Sequence, residues 1–284
     1  MQMPLFGSIK ESAMKKFIFI LGMLGLSALL PARAAWAQLA PPNDAGVSMG
    51  HVHLMVQDVE AAKTFWTAMG GIHSQMGANE IFKFPGVLIL LRKSDASLGS
   101  VGSVVGHIGF HVPNTTEALA RWKASGLKTE VGQNPGQGFV YTPDNLTRLE
   151  ILEDKTQTVP ITFHHVHFYI ADPSGTAVLE MQSWYAKMFG AKPGKRGQFD
   201  AADIPGANLT FTKSDTPTVG TKGRMLDHIG FEIKDLEAFC KNAEANGVKF
   251  DRPYTKMPDL GISLAFMTDP WGTYIELNEG LDKK

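Results

Sequence analysis

From Gly50 to Asp58 apolar and polar side chains alternate, the pattern of a strand with one buried face. Successive side chains of a strand point to opposite sides, so Val52, Leu54 and Val56 share one face, and His51 and His53 share the other. The pattern returns three times, in His107 to Val112, His165 to Asp172 and His228 to Ile233. Each strand therefore predicts a core face and a face on which polar, mostly imidazole, side chains gather.

A helix follows each of these strands. Asp58 caps a helix with Ala62, Phe65, Trp66 and Met69 on one side, ended by Gly70-Gly71. Asn114 and Glu117 form a capping box before Leu119 and Trp122, with Gly126 as the stop. A third helix is predicted from Asp172-Pro173 through Trp184 and Met188 to Gly190, about one turn longer, and a fourth runs from Asp235 to Gly247. Short strands complete each unit: Ile81 to Phe84 and Val87 to Leu91 in the first, Leu127 to Val131, Phe139 to Tyr141 and Arg148 to Leu152 in the second, and Tyr274 to Leu277 in the last. Ile204-Pro205-Gly206 matches Phe84-Pro85-Gly86, and Lys213-Ser214-Asp215 matches Lys93-Ser94-Asp95. A unit of strand, helix and three strands thus occurs four times. The expected fold is α+β, with a first half at residues 49–154, a linker at 155–162 containing Pro160, and a second half at 163–280. The glycine-bearing loops Lys93 to Gly106 and Lys213 to Arg224 read as lids or module linkers.

The first 37 residues change the picture of where the protein works. Lys15-Lys16 precede an apolar run from Phe17 to Leu30, and Ala35-Trp36-Ala37 fits a cleavage site, so residues 1–37 are expected to be a secretory signal peptide with an upstream extension. The run is shorter than the ~20 residues a membrane span needs, so no stable membrane anchor is expected. A periplasmic or secreted protein beginning at Gln38 follows, with 38–48 as a flexible leader. Cleavage removes four basic residues and one acidic residue, taking the formal charge from −1 to −4 and leaving no electrostatic footprint for nucleic acid. The one cysteine, Cys240, falls at helical spacing among Leu236, Phe239 and Ala243 and reads as a small buried residue.

Taken by halves, the chain offers His51, His107 and Glu150, then His165, His228 and Glu276. Two neutral imidazoles and one carboxylate suit a divalent transition metal with open coordination positions, so one or two ions (Fe, Mn, Zn or Ni) are the expected cofactor. The phrases HVHLMVQD (51–58), GHIGFHV (106–112) and RLEIL (148–152), then HVHFYIAD (165–172), DHIGFEI (227–233) and DPWGTYIEL (269–277), resemble the vicinal oxygen chelate superfamily of glyoxalases, bleomycin-resistance proteins and extradiol dioxygenases. The resemblance spans nearly the whole chain after residue 37. It implies two tandem domains of paired βαβββ modules, each a cupped eight-stranded sheet, with metal ligands at His51, His107, Glu150, His165, His228 and Glu276. The chain departs from the glyoxalase I pattern at Leu90 and Thr210, where a fourth, often acidic, ligand would stand. It also lacks the histidine and tyrosine that ring-cleaving members place before the last glutamate, having Phe266 there and Val140-Tyr141 in the first half.

The chemistry implied is binding of two neighbouring oxygens of a small substrate on the ion, with a nearby side chain moving a proton. His53, His111, His167, Tyr169 and Glu232 share faces with the ligands and are the proton-transfer candidates. Arg148, alternating with Glu150, is a candidate for binding an anionic substrate group or pairing with that glutamate, and Trp271 is placed to lean over a pocket. Trp66, Trp122 and Trp184 belong to helix core faces, while His73 and His164 fall at element ends. The resulting expectation is a metal-dependent dioxygenase, lyase or isomerase. The alternative is a resistance-type protein that binds a small molecule without catalysis.

Overall fold

A computed structural model describes residues 38–95 and 98–284. The expected signal peptide lies outside the described residues. The four units are all present. The first comprises β1 (Val47–Val56), α1 (Val59–Met69), β2 (Ile72–Met76), β3 (Asn79–Phe84) and β4 (Val87–Lys93), and the second β5 (Val105–Val112), α2 (Thr115–Ala124), β6 (Lys128–Val131), β7 (Gln137–Tyr141) and β8 (Arg148–Glu153). The third comprises β9 (Thr162–Ala171), α3 (Ala177–Phe189), β10 (Lys192–Arg196), β11 (Phe199–Ile204) and β12 (Ala207–Ser214). The fourth comprises β13 (Leu226–Ile233), α4 (Leu236–Ala245), β14 (Phe250–Met257), β15 (Ile262–Thr268) and β16 (Tyr274–Glu279).

The helix starts follow the sequence signals in three cases. Asp58 accepts from the Ala61 amide, Asn114 from Glu117 and Asp235 from Ala238, each satisfying a first-turn donor. The third differs: α3 begins at Ala177, because residues after Asp172 form a turn whose Ala177 amide returns to Asp172 Oδ1 at 3.1 Å. It is still the longest of these four helices, 13 residues against 10 or 11. β2 and β10 were not legible as strands. Both are sheet edges, and β10 reads Lys-Pro-Gly-Lys-Arg with no apolar alternation.

Two eight-stranded sheets result, in the orders β14-β15-β16-β13-β1-β4-β3-β2 and β10-β11-β12-β9-β5-β8-β7-β6. The first joins modules one and four, and the second joins modules two and three. This regroups the halves expected from the sequence. In each module the opening strand pairs in parallel with its own last strand and leaves its other edge bare. The bare edges close antiparallel, β1 on β13 and β5 on β9, but four strands of nearly equal pattern do not reveal which edges meet.

The described residues 98–104 and residues 215–225 lie between the sheets along the chain. They hold each other: the Val104 amide donates to Val219 O at 2.9 Å, and Met225 to Leu98 O at 2.9 Å. They are crossing linkers. The leader is hydrogen-bonded to the fold: Asn43 Oδ1 accepts from the Ala45 and Val47 amides, and its Nδ2 donates to Phe189 O at 2.9 Å. The apolar faces of both sheets meet the helices in one core, where Phe110 of β5 packs on Trp66 and Phe84, and Phe189 of α3 packs on Phe231 of β13. Trp66 and Trp122 are buried there, as is Cys240, whose thiol burial pushes up to about 11. The opposite, concave faces carry the histidines.

Candidate metal centres

The β1–β13 register sets His53 opposite His228 and His51 opposite Gly230, while parallel pairing sets Gly230 beside Glu276. His51, His53, His228 and Glu276 therefore share one concave face, each buried. In the other sheet His107 lies opposite His167, Gly109 opposite His165, and Glu150 beside Gly109. His107, Glu150, His165 and His167 form the second cluster. In each cluster one possible donor atom per residue lies within 4.8 Å of all the others. All six ligands implied by the resemblance are thus brought together, but as His51, His228 and Glu276, and as His107, His165 and Glu150. Each cluster forms where a module of one half and a module of the other close a sheet, so the sets cross the halves of the chain.

Three donors converge most closely in each. His51 Nε2 and His228 Nε2 stand 3.2 and 2.9 Å from Glu276 Oε2, and His107 Nε2 and His165 Nε2 stand 3.4 and 3.0 Å from Glu150 Oε2. Metal–donor bonds of about 2.1 Å place neighbouring donors roughly 3.0 Å apart in an octahedron and 3.4 Å in a tetrahedron, so these spacings fit the edges of a coordination polyhedron. Polar saturation argues the same way. Both ring nitrogens of His51 and His53, and Nε2 of His165, are buried without a hydrogen bond, a costly arrangement that a cation between the donors would repair.

Glycine makes this packing possible. A Cβ on Gly230 would lie 2.0 Å from His51 Cε1, and one on Gly109 would lie 2.0 Å from His165 Cε1, so each ring rests directly on the neighbouring strand's backbone. The glycine of each His-Ile-Gly-Phe phrase is where the other strand's ligand sits.

The surroundings fix the donors. His228 Nδ1 donates to Asp227 Oδ1 at 2.5 Å, so that, once the ring is neutral, the lone pair is on Nε2, the nitrogen 2.9 Å from Glu276 Oε2 that a cation would meet. Glu276 Oε1 accepts from Asn278 Nδ2 at 2.8 Å, and Glu150 Oε1 from Gln137 Nε2 at 2.5 Å. Burial holds His51, His53, His107, His165 and His167 below the ordinary imidazole value, the last at about 2, keeping them neutral and able to ligate. Burial alone would raise both glutamates, but contact with two imidazoles each outweighs it and holds them ionised. His228 is raised: Asp227 and Glu276 overcome its burial.

The proton-transfer candidates divide. His53 and His167 stand inside the clusters, and His167 Nε2 is 2.7 Å from Thr212 Oγ1. Tyr169 stacks on His167 at 4.7 Å and lines the second centre. His111 is outside, stacked at 3.8 Å on His164, because it lies two residues beyond Gly109 along β5, past the point where the donors converge. Glu232 is also outside. Its carboxylate accepts from the Gly280 and Leu281 amides and holds the C-terminal turn. Arg148 rests on the Phe139 ring at 4.6 Å and hydrogen-bonds Tyr169 at the second centre, while the guanidinium beside Glu150 is that of Arg196, 3.8 Å from Oε2. Trp271 leans on Trp184 at 6.3 Å beside the core, away from both centres. His164 is not at an element end but within β9, its Nδ1 2.9 Å from His165 Nδ1, and exposed His73 lies in β2 paired with Glu80. Sequence reading missed Arg196, Asp227, Gln137 and Asn278. For Asp227 and Asn278 a signal existed, since each is next to a ligand or one pleat away from it.

Residues 162–277 match the model of the Glyoxalase/Bleomycin resistance protein/Dioxygenase superfamily. The chain is similar in fold to glyoxalase I from Zea mays, with a TM-score of 0.66, 16% identity, and coverage of 84% of this chain and 94% of that one. A single-site mutant of the same Zea mays enzyme gives a TM-score of 0.65 at 17% identity, covering 84% of this chain and 94% of that one. A protein from Bacillus subtilis subsp. subtilis str. 168 described as a candidate dioxygenase gives 0.63 at 17% identity, covering 86% of both chains. A comparison with curated proteins returns no match. Residues 162–277 belong to the superfamily that their match names, and the repeat of the same architecture extends the vicinal oxygen chelate fold, as two tandem sheets, over the described chain.

Proposed function

We propose that the protein is an exported, metal-dependent enzyme that binds a small substrate through two neighbouring oxygens at a divalent ion. The observation carrying this reading is the convergence of two buried imidazoles and one carboxylate at 2.9 to 3.4 Å, built twice over buried nitrogens that have no other partner. His51, His228 and Glu276 would hold one ion, and His107, His165 and Glu150 the other. Bound there, a divalent ion supplies Lewis acidity toward the paired oxygens.

The chain's own residues supply the rest. Asp227 fixes the tautomer of His228, and Asn278 and Gln137 orient the glutamates by holding their second oxygens. His53 and His167, beside the donors and held neutral by burial, would hydrogen-bond the substrate as weakly basic imidazoles, and Tyr169 would shield His167 from water. Export rests on the Lys15-Lys16, apolar-run and Ala35-Trp36-Ala37 sequence.

The test is metal analysis of anaerobically purified mature protein, followed by oxygen uptake with catechols against isomerase and lyase assays on 2-oxo compounds. Two equivalents of one divalent metal, with turnover in one of those assays that chelation abolishes, is the expected result. Metal-free protein that binds the same compounds without turnover would instead establish the small-molecule-binding alternative.

A further inference from the structure

The two centres lie in cups of opposite chemistry. Matching registers pair Met76 of β2 with Arg196 of β10, Ile81 with Ala201, Leu88 with Asn208, and Leu90 with Thr210. In the first cup Met76, Ile81, Leu88 and Leu90 pack with Ile262 into an apolar cluster of their own. Its neighbouring basic side chains, Arg92 and Lys222, are exposed, and Lys222 lies over the Tyr274 ring. In the second cup the place of Met76 is taken by a guanidinium. Arg196 is 19% exposed, with Nη1 3.5 Å from His165 Nδ1 and Nη2 3.5 Å from His167 Nδ1 and 3.8 Å from Glu150 Oε2. Its Nε is buried without a hydrogen-bond partner.

A guanidinium, here partly buried, is planar, permanently charged and forked to fit a carboxylate. Glu150 does not serve that need: one of its oxygens holds Gln137, and the other faces two imidazoles at closer range than Arg196. Once a divalent ion takes Glu150, the charges of the ion and Arg196 add, and an anion is required between them. We propose that the second centre is an anion-selecting site, in which Arg196 pairs with the carboxylate of a small ligand that chelates the ion through adjacent oxygens, as a 2-oxo or 2-hydroxy carboxylate does. The first centre, with Met76 at that position, lacks this selection. The two centres therefore serve ligands of different charge.

This rests on the metal-binding reading, and the test separates the two. Oxalate is the probe, titrated calorimetrically into metal-loaded protein in which one centre is silenced by His51→Ala with His228→Ala, or the other by His107→Ala with His165→Ala. Oxalate is expected to bind the second centre at least tenfold more tightly than the first. Arg196→Met in the variant that keeps only the second centre should weaken oxalate at least tenfold without lowering metal content. Equal affinities at the two centres overturn the proposal. So does a variant in which Arg196→Met raises metal loading but leaves oxalate affinity unchanged, since Arg196 would then only repel the ion. Absence of metal from both preparations would defeat the metal reading itself, and this proposal with it.

Discussion

Glu232 shows how placement on the right face of a strand differs from participation in a site. It occupies on β13 the position that His111 holds on β5, yet its carboxylate turns to the C-terminal backbone, and burial pushes it up to about 7. A carboxyl whose folded value exceeds its ordinary 4.5 is protonated longer in the folded chain than in the unfolded one. Its contribution to stability is complete below about pH 4.5 and is lost as pH rises toward 7. Glu232→Gln cannot titrate, so the melting temperature of the wild type relative to this variant should fall between pH 4.5 and 7 and stay level above. Parallel curves across that window would show that Glu232 ionises normally. At this scale the clustered residues were legible because alternation puts His51, His165, Glu150 and Glu276 on polar faces of otherwise apolar strands. Arg196 was not. It ends a stretch of exposed, strand-poor residues and meets His165 only through the sheet, 31 positions away.

Between elements, the closest constraint is ring against backbone. Gly230 is buried in β13 and has no positive φ, so it is required for its missing side chain alone. Gly230→Ala should push the His51 ring off Glu276, reducing metal at the first centre at least tenfold in affinity while leaving the second intact, as competition with a chelator would read. Equal loss at both centres would mean a general folding defect. The helices were readable because Asp58, Asn114 and Asp235 each precede an apolar stripe and satisfy an amide that has no partner within the helix. The edge strands β2, β10 and β14 were poorly readable for the opposite reason: with many exposed side chains, no buried face imposes a period on their sequence.

For the whole molecule, the main lesson concerns which modules close together. The fourfold repeat and the fold class followed from the sequence, since each module's pattern is local. The pairing of β1 with β13 and β5 with β9 is not local, and all four opening strands carry compatible faces. Each candidate metal centre consequently spans the two halves of the chain, one of them uniting His51 with Glu276. The most direct test is metal content in two double variants that differ only in partner. His51→Ala with His228→Ala should empty one centre and leave one equivalent of metal, whereas His51→Ala with His107→Ala should damage both and leave none bound tightly. The reverse result, one equivalent retained with His51 and His107 removed and none with His51 and His228 removed, would contradict the arrangement of both centres.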